Sequence, residues 1–227
     1  PTNDGRRKPE IVAPGCSTVS SASSGSTCTF SGSGWTGTSM ACPAVAGCGL
    51  LTRQYYTDGF YPTGAAVPAD AFTPSGALIK ATLLNSAADM TGIAGFPSNS
   101  EGWGRVLLDG ALYFTGDARK LIVDDVRNAT GLTTSQSAVY NFTVNSNGQP
   151  LEATLVWTEK EATVNANPAY INNLNLTVTG PSGTYLGNVF SSGQSATGGS
   201  ADFRNNVEEV LLTVPTAGAY TLTIDAP

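Results

Sequence analysis

Apolar positions recur at helical spacing in the first half of the chain and at alternate residues in the second half. Over residues 38–56, Val45, Cys48, Leu51 and Tyr55 fall three, three and four apart, which predicts one apolar stripe along a helix. Pro43 lies in the first turn of that helix, where its missing N–H costs nothing. Ala41, Ala44, Ala46, Gly47 and Gly49 are small enough for neighbouring elements to approach closely. A second helix is predicted over 74–88, capped by Thr73 or Ser75, with Leu78, Ile79, Thr82 and Leu83 on its inner face. A Pro/Gly-rich loop over 58–72 joins the two, and a short helix is expected at 109–113. Ahead of the first helix, Ile11-Val12 is a short apolar run stopped by Ala13-Pro14-Gly15. A Ser-rich loop (17–26), a return strand (27–30) and Gly32-Ser33-Gly34 follow it.

From about residue 117 the period becomes two. Strands are predicted over 118–126 and 138–144, then around Leu151/Ala153/Leu155/Trp157, Leu174/Leu176/Val178, Val210/Leu212/Val214 and Tyr220/Leu222/Ile224. Asn147-Gly148 and Pro181-Ser182-Gly183 supply turn signals between them. Six or seven short strands of this kind imply an antiparallel β-sandwich. The change of period divides the chain into units 1–116 and 117–227.

The 227 residues carry a formal net charge of -6, and charged residues make up only 12%. The one basic run, Arg6-Arg7-Lys8, reads as a solvated turn, so phosphate-backbone binding is not expected. No apolar run approaches the roughly 20 residues that span a bilayer. Four cysteines suit an oxidising compartment. Cys16 and Cys28 flank the Ser-rich loop, where a disulfide closes easily. Cys42 and Cys48, if on one helix, stand about 9 Å apart along its axis, beyond the roughly 7 Å that a disulfide tolerates. They read as small, buried, reduced side chains in a tightly packed helix, with pairing to a segment outside the chain as the rival. Asn128, Asn141 and Asn175 each open an Asn-x-Thr sequon. Glycan acceptors of a secreted protein and chance in an Asn/Thr-rich chain both account for them.

The chemistry is concentrated at the start of the first helix. Gly37-Thr38-Ser39-Met40-Ala41-Cys42-Pro43-Ala44-Val45-Ala46-Gly47 resembles the nucleophile motif of the subtilisin-like serine proteases, G-T-S-M-A-x-P-x-V-A-G. Lys8-Pro9-Glu10-Ile11-Val12-Ala13-Pro14-Gly15 resembles the segment that precedes it in that family, with Glu10 where Asp is common. Gly102-Trp103-Gly104-Arg105-Val106 looks like the landmark that closes the catalytic domain. A Ser at a helix start is by itself only a capping residue; three motifs in family order are more specific. A helix N-terminus also offers free N–H groups and a positive dipole end to a developing oxyanion.

The resemblance implies the C-terminal part of a doubly wound parallel-sheet α/β domain, followed by an all-β antiparallel, jelly-roll-like sandwich. The subgroup it points to is that of the oxidatively stable alkaline proteases, with the sandwich's last strand falling beyond Pro227. It implies Ser39 as the nucleophile, its backbone N–H as an oxyanion donor, and Met40 beside it as an oxidation target. The chain contains no histidine. A Ser-His-Asp triad is therefore incomplete here, and the resemblance puts the Asp, the His and the second oxyanion donor (an Asn) in an upstream segment or chain. That upstream part and a protein or peptide substrate are the expected partners. Neither nucleic acid nor membrane is expected, and the expected location is extracellular. The chemistry needs no cofactor. Calcium, a common structural ion in the family, has candidate ligands in Asn173, Asn175, Asp202 and Glu208, beside the simpler reading of turn residues in solvent. A non-catalytic binding or structural sandwich with a vestigial protease remnant is the competing function.

Overall fold

The computed structural model describes residues 2–30, 34–167 and 169–227. Gly32 and Ser33 of the predicted linker lie outside the described residues. The chain runs β1 (Ser21–Ser23), β2 (Cys28–Phe30), α1 (Thr38–Thr57), α2 (Gly76–Asn85), β3 (Ser137–Val144), β4 (Leu151–Val156), β5 (Asn175–Gly180), β6 (Gly183–Ser191), β7 (Gln194–Thr197), β8 (Val207–Leu212) and β9 (Gly218–Asp225). It is mostly β-sheet with few helices.

The two helices fall where their periodicity put them. Ser75 caps α2, its Oγ accepting from the Leu78 N–H at 3.0 Å. The cap is itself held, because Asp125 accepts from both the Ser75 N–H (2.8 Å) and its hydroxyl (2.5 Å). α1 and α2 pack where Gly49 faces Ile79 and Leu83, and the Tyr56 hydroxyl meets Thr82 Oγ1 at 2.9 Å. The buried side chains of α1 are Thr52, Tyr55 and Tyr56. Leu51, predicted on the inner stripe, is 57% exposed, and its neighbour Leu50 is 69% exposed. The stripe is thus rotated toward the Tyr55/Tyr56 aromatic cluster with Phe60, Phe72 and Phe114. The predicted helix at 109–113 is a single 3-10 turn, Leu108–Gly110.

The strand predicted over 118–126 does not form. Its alternation is real, since Leu121 and Val123 pack against the Tyr55/Tyr56 core. The segment makes no ladder because its polar groups are taken elsewhere. Val123 exchanges hydrogen bonds with the Tyr61 hydroxyl (3.0 and 3.3 Å), Asp125 holds Ser75, and Asp124 accepts from the Tyr140 hydroxyl.

The remaining strands form two antiparallel sheets, one of five strands in the order β3-β9-β5-β6-β7 and one of two, β4-β8. The β6–β7 hairpin had no expectation from the sequence. The small sheet is a middle layer. One face, with Ala153, Val210 and Leu212, packs on Leu176, Val178, Tyr185 and Tyr220 of the large sheet. Val156 and Val207 face the other way, toward Leu84 of α2 and Trp103. All six residues of β8 are buried.

Trp103 sits in a bracket of short pairings. Its N–H donates to Glu10 O at 2.9 Å, Val12 pairs parallel with Arg105, and Ala88 pairs antiparallel with Arg105. Two glycines permit it. Gly102 has φ +64, and a Cβ there would lie 2.4 Å from Glu10 O; Gly104 has φ +104, and a Cβ would lie 2.2 Å from Ala88 O.

Candidate active site

Ser39 is the second residue of α1, exposed, with Gly37 as the N-cap and no side chain capping the helix. The first N–H groups of a helix have no intrahelical partner, so the Thr38 and Ser39 amides at this uncapped end are free to meet an anion. The turn is fixed from behind: the Gly37 N–H donates to Gly15 O at 2.8 Å. Trp35 and Thr18 exchange two backbone hydrogen bonds (2.8 and 2.9 Å), which closes the arm carrying β1 and β2 next to the site. Met40, next in the chain, is half-buried.

Glu10 sits in an ion cluster, its Oε1 2.7 Å from Lys8 Nζ and 2.6 Å from Lys80 Nζ. Burial opposes ionisation there, but the two ammonium groups outweigh it and hold the carboxyl below its ordinary pKa. A structural role fits it.

The basic run is not a solvated turn. Lys8 is paired, and the half-buried Arg7 guanidinium lies 4.5 Å from the centre of the Trp103 ring. The sequence carried no signal for this contact, which needs a Trp almost a hundred residues away.

The expected Cys16–Cys28 disulfide is absent, and all four cysteines are free thiols. Cys28 is held on β2 opposite Ser23. The exposed Cys16 sulfur instead accepts from Thr36 Oγ1 at 3.6 Å and lies 3.8 Å from Ser17 Oγ. These hydrogen bonds, Thr36 first, lower the thiol pKa. Cys42 and Cys48 are both on α1, as expected, but they are not buried: Cys42 is exposed and Cys48 is only partly covered.

The calcium candidates are engaged unequally. Asp202 already accepts from Asn188 Nδ2 (2.6 Å), Asn205 Nδ2 (2.6 Å) and the Arg204 N–H (2.8 Å). Asn175 Oδ1 accepts from Asn173 Nδ2 at 3.2 Å. The oxygens left over are Glu208 Oε1 and Asn173 Oδ1, both buried and without a partner. Glu208 Oε2 accepts from the Leu176 N–H at 2.6 Å. Burial raises the Glu208 pKa to about 8, against the Leu176 N–H and with help from Asp202. Among the described residues no three His, Cys, Asp or Glu side chains gather in a metal-holding arrangement.

Of the sequons, Asn128 and Asn141 are exposed, and Asn141 Oδ1 accepts from Thr221 Oγ1 at 2.9 Å. Asn175 is half-buried, with its side-chain oxygen engaged. Among the described residues no helix is long and apolar enough to cross a membrane.

Residues 1–104 match the subtilase family model. The chain is 32% identical over 94% of its length to the serine protease/ABC transporter B family protein tagD of Dictyostelium discoideum. It is 30% identical over 99% of its length to tagA of the same organism and family description. It spans about 15% of the length of these curated relatives. The matched region takes in the Lys8–Gly15 segment and the Ser39 turn and ends on the Trp103 bracket; over these residues the chain belongs to the subtilase family.

Proposed function

We propose that the chain is part of a secreted subtilisin-like serine endopeptidase that hydrolyses peptide bonds through an acyl-enzyme on Ser39. The observation that carries this is the exposed Ser39 on an uncapped helix N-terminus, with its turn fixed by the Gly37–Gly15 hydrogen bond. Ser39 Oγ attacks the scissile carbonyl, and the Ser39 backbone N–H receives the developing oxyanion. The Oγ proton passes to a histidine, which returns it to the leaving amine; water then hydrolyses the acyl-enzyme. The 227 residues hold no histidine, so His, Asp and the second oxyanion donor come from an upstream segment. That segment would also supply the parallel strands that complete a doubly wound domain and cover Leu50 and Leu51. The Val12–Arg105 parallel pairing fits the edge of such a sheet.

We place the unit boundary near residue 116. The five-plus-two antiparallel arrangement supports a jelly-roll-like sandwich of the alkaline-protease subgroup. A structural calcium ion is proposed at Glu208 Oε1 and Asn173 Oδ1, two unpartnered oxygens of the kind a hard cation takes. Asn128 and Asn141 are the proposed glycan acceptors.

The test is fluorophosphonate labelling and peptide hydrolysis by the full-length protein and its Ser39→Ala variant. Ser39-dependent labelling and turnover are expected, and residues 1–227 alone should be inert. Labelling that survives Ser39→Ala, or turnover by the isolated chain, would overturn the proposal.

A further inference from the structure

We infer that Arg7 is a positioning residue through which the sandwich holds the Ser39 turn in register; the inference rests on Ser39 as the nucleophile. Arg7 is tied on both sides of the boundary between the two units. On the sandwich side its backbone N–H donates to Asn205 Oδ1 at 2.8 Å; burial disfavours the guanidinium charge, and Asp202, then Glu209, offset this in part. Asn205 is itself fixed, donating to Asp202 Oδ2 at 2.6 Å. On the catalytic side the guanidinium covers the Trp103 ring, which is 2% exposed and packs on Phe190 with centroids 5.4 Å apart. Arg7 Nη1 is buried and makes no hydrogen bond, so stacking on Trp103 and the Asp202 carboxylate hold the group in place.

From Arg7 to the nucleophile the connection is short and consists of backbone. Residues 8–15 bend at Pro9 and Glu10 and lead to the turn. They are pinned by Trp103 N–H to Glu10 O (2.9 Å), Val12 N–H to Gly104 O (3.0 Å) and Val106 N–H to Val12 O (3.2 Å). The last residue, Gly15, accepts the hydrogen bond from Gly37. An anchor at Arg7 therefore fixes the position of Gly15 at the end of this segment, and with it the direction of the first α1 amides. A misplacement of about 1 Å at a reacting group is enough to cost on the order of a hundredfold in rate.

The test is steady-state kinetics with active-site titration on the full-length protein, its Arg7→Met and Arg7→Lys variants, and Asn205→Ala, which removes the tie from the sandwich side. Arg7→Met should lower kcat per titrated site about tenfold or more, with KM changed less than about twofold. Asn205→Ala should lower kcat in the same direction. Arg7→Lys should recover part of it, since an ammonium keeps the charge but not the planar stack. If the variants lose only active sites, with kcat per site unchanged, Arg7 is merely structural and the inference falls. Failure of the wild type to label at Ser39 would instead overturn the protease reading, and is distinguishable for that reason. Should Arg7→Met not fold, an unchanged kcat in Asn205→Ala still overturns the proposal.

Discussion

Replacing Glu152 by Gln should stabilise the protein in mildly alkaline solution and leave it unchanged in acid. Glu152 is half-buried on β4, the strand whose Thr154 hydroxyl donates to Glu209 at 3.3 Å. Burial raises the Glu152 pKa from 4.5 to about 7, and Arg119 offsets this only in part. Glu209 is raised well above the usual carboxyl range, by burial first and then by the Glu152 charge, so the first ionisation of the pair falls on Glu152. Below pH 4.5 the group is neutral in both the folded and the unfolded chain. As the pH rises from there, the unfolded chain releases its proton while the folded one keeps it. Stability present in acid is therefore lost progressively and is gone once the pH passes about 7. At 1.36 kcal/mol per pH unit, the interval from 4.5 to about 7 corresponds to about 3 kcal/mol. Glutamine stays neutral throughout and forfeits none of it. Urea unfolding of the wild-type and Glu152→Gln proteins, followed by tryptophan fluorescence across this range, reads the difference directly. The variant's advantage should be near zero at the acid end and grow to about 3 kcal/mol at pH 8. A difference independent of pH would refute the argument. So would a variant that is weaker at pH 8, because it would mean that folded Glu152 is already ionised and well paired.

Two further outcomes are expected. Gly104→Ala should destabilise the protein by about 2 kcal/mol or more, because φ +104 is strained for alanine and the new Cβ would lie 2.2 Å from Ala88 O; an unchanged urea midpoint would show that the bracket yields freely. Calcium should raise the thermal midpoint of the wild type but not of Glu208→Gln; a wild type indifferent to both calcium and chelator would remove the ion from the proposal.

What the sequence made legible was local. The 3.6 period and Ser75 located α1 and α2, and alternation located β3, β4, β5, β8 and β9. The β6–β7 hairpin escaped because Gly187 and a left-handed Asn188 (φ 63) interrupt the alternation of β6, and its register with β7 shifts. The segment 118–126 misled in the opposite way. It alternates because its apolar side chains line the Tyr55/Tyr56 core, but periodicity carries no information about whether a ladder partner exists. Ser39 was legible because its motif is contiguous. Arg7 was not, because its environment is assembled from Trp103, Asp202, Asn205 and Glu209, and no short window of sequence contains these together. The disulfide expectation failed for a related reason: loop length says that a bridge is affordable, while the strand pairing at Cys28 decides where that side chain goes.

The middle position of the β4–β8 ribbon bears on how such a protein can be cut and recombined. The family-model match ends at Gly104 and the change of period falls near residue 117, yet cohesion follows neither line. Leu84 and Trp103 from one side and Val207 from the other share a single buried cluster. A graft that exchanged the sandwich for an unrelated module would need to restore a matching apolar ribbon against Trp103 as well as a linker of the right length. The two halves are therefore expected to be inherited, shuffled and lost together.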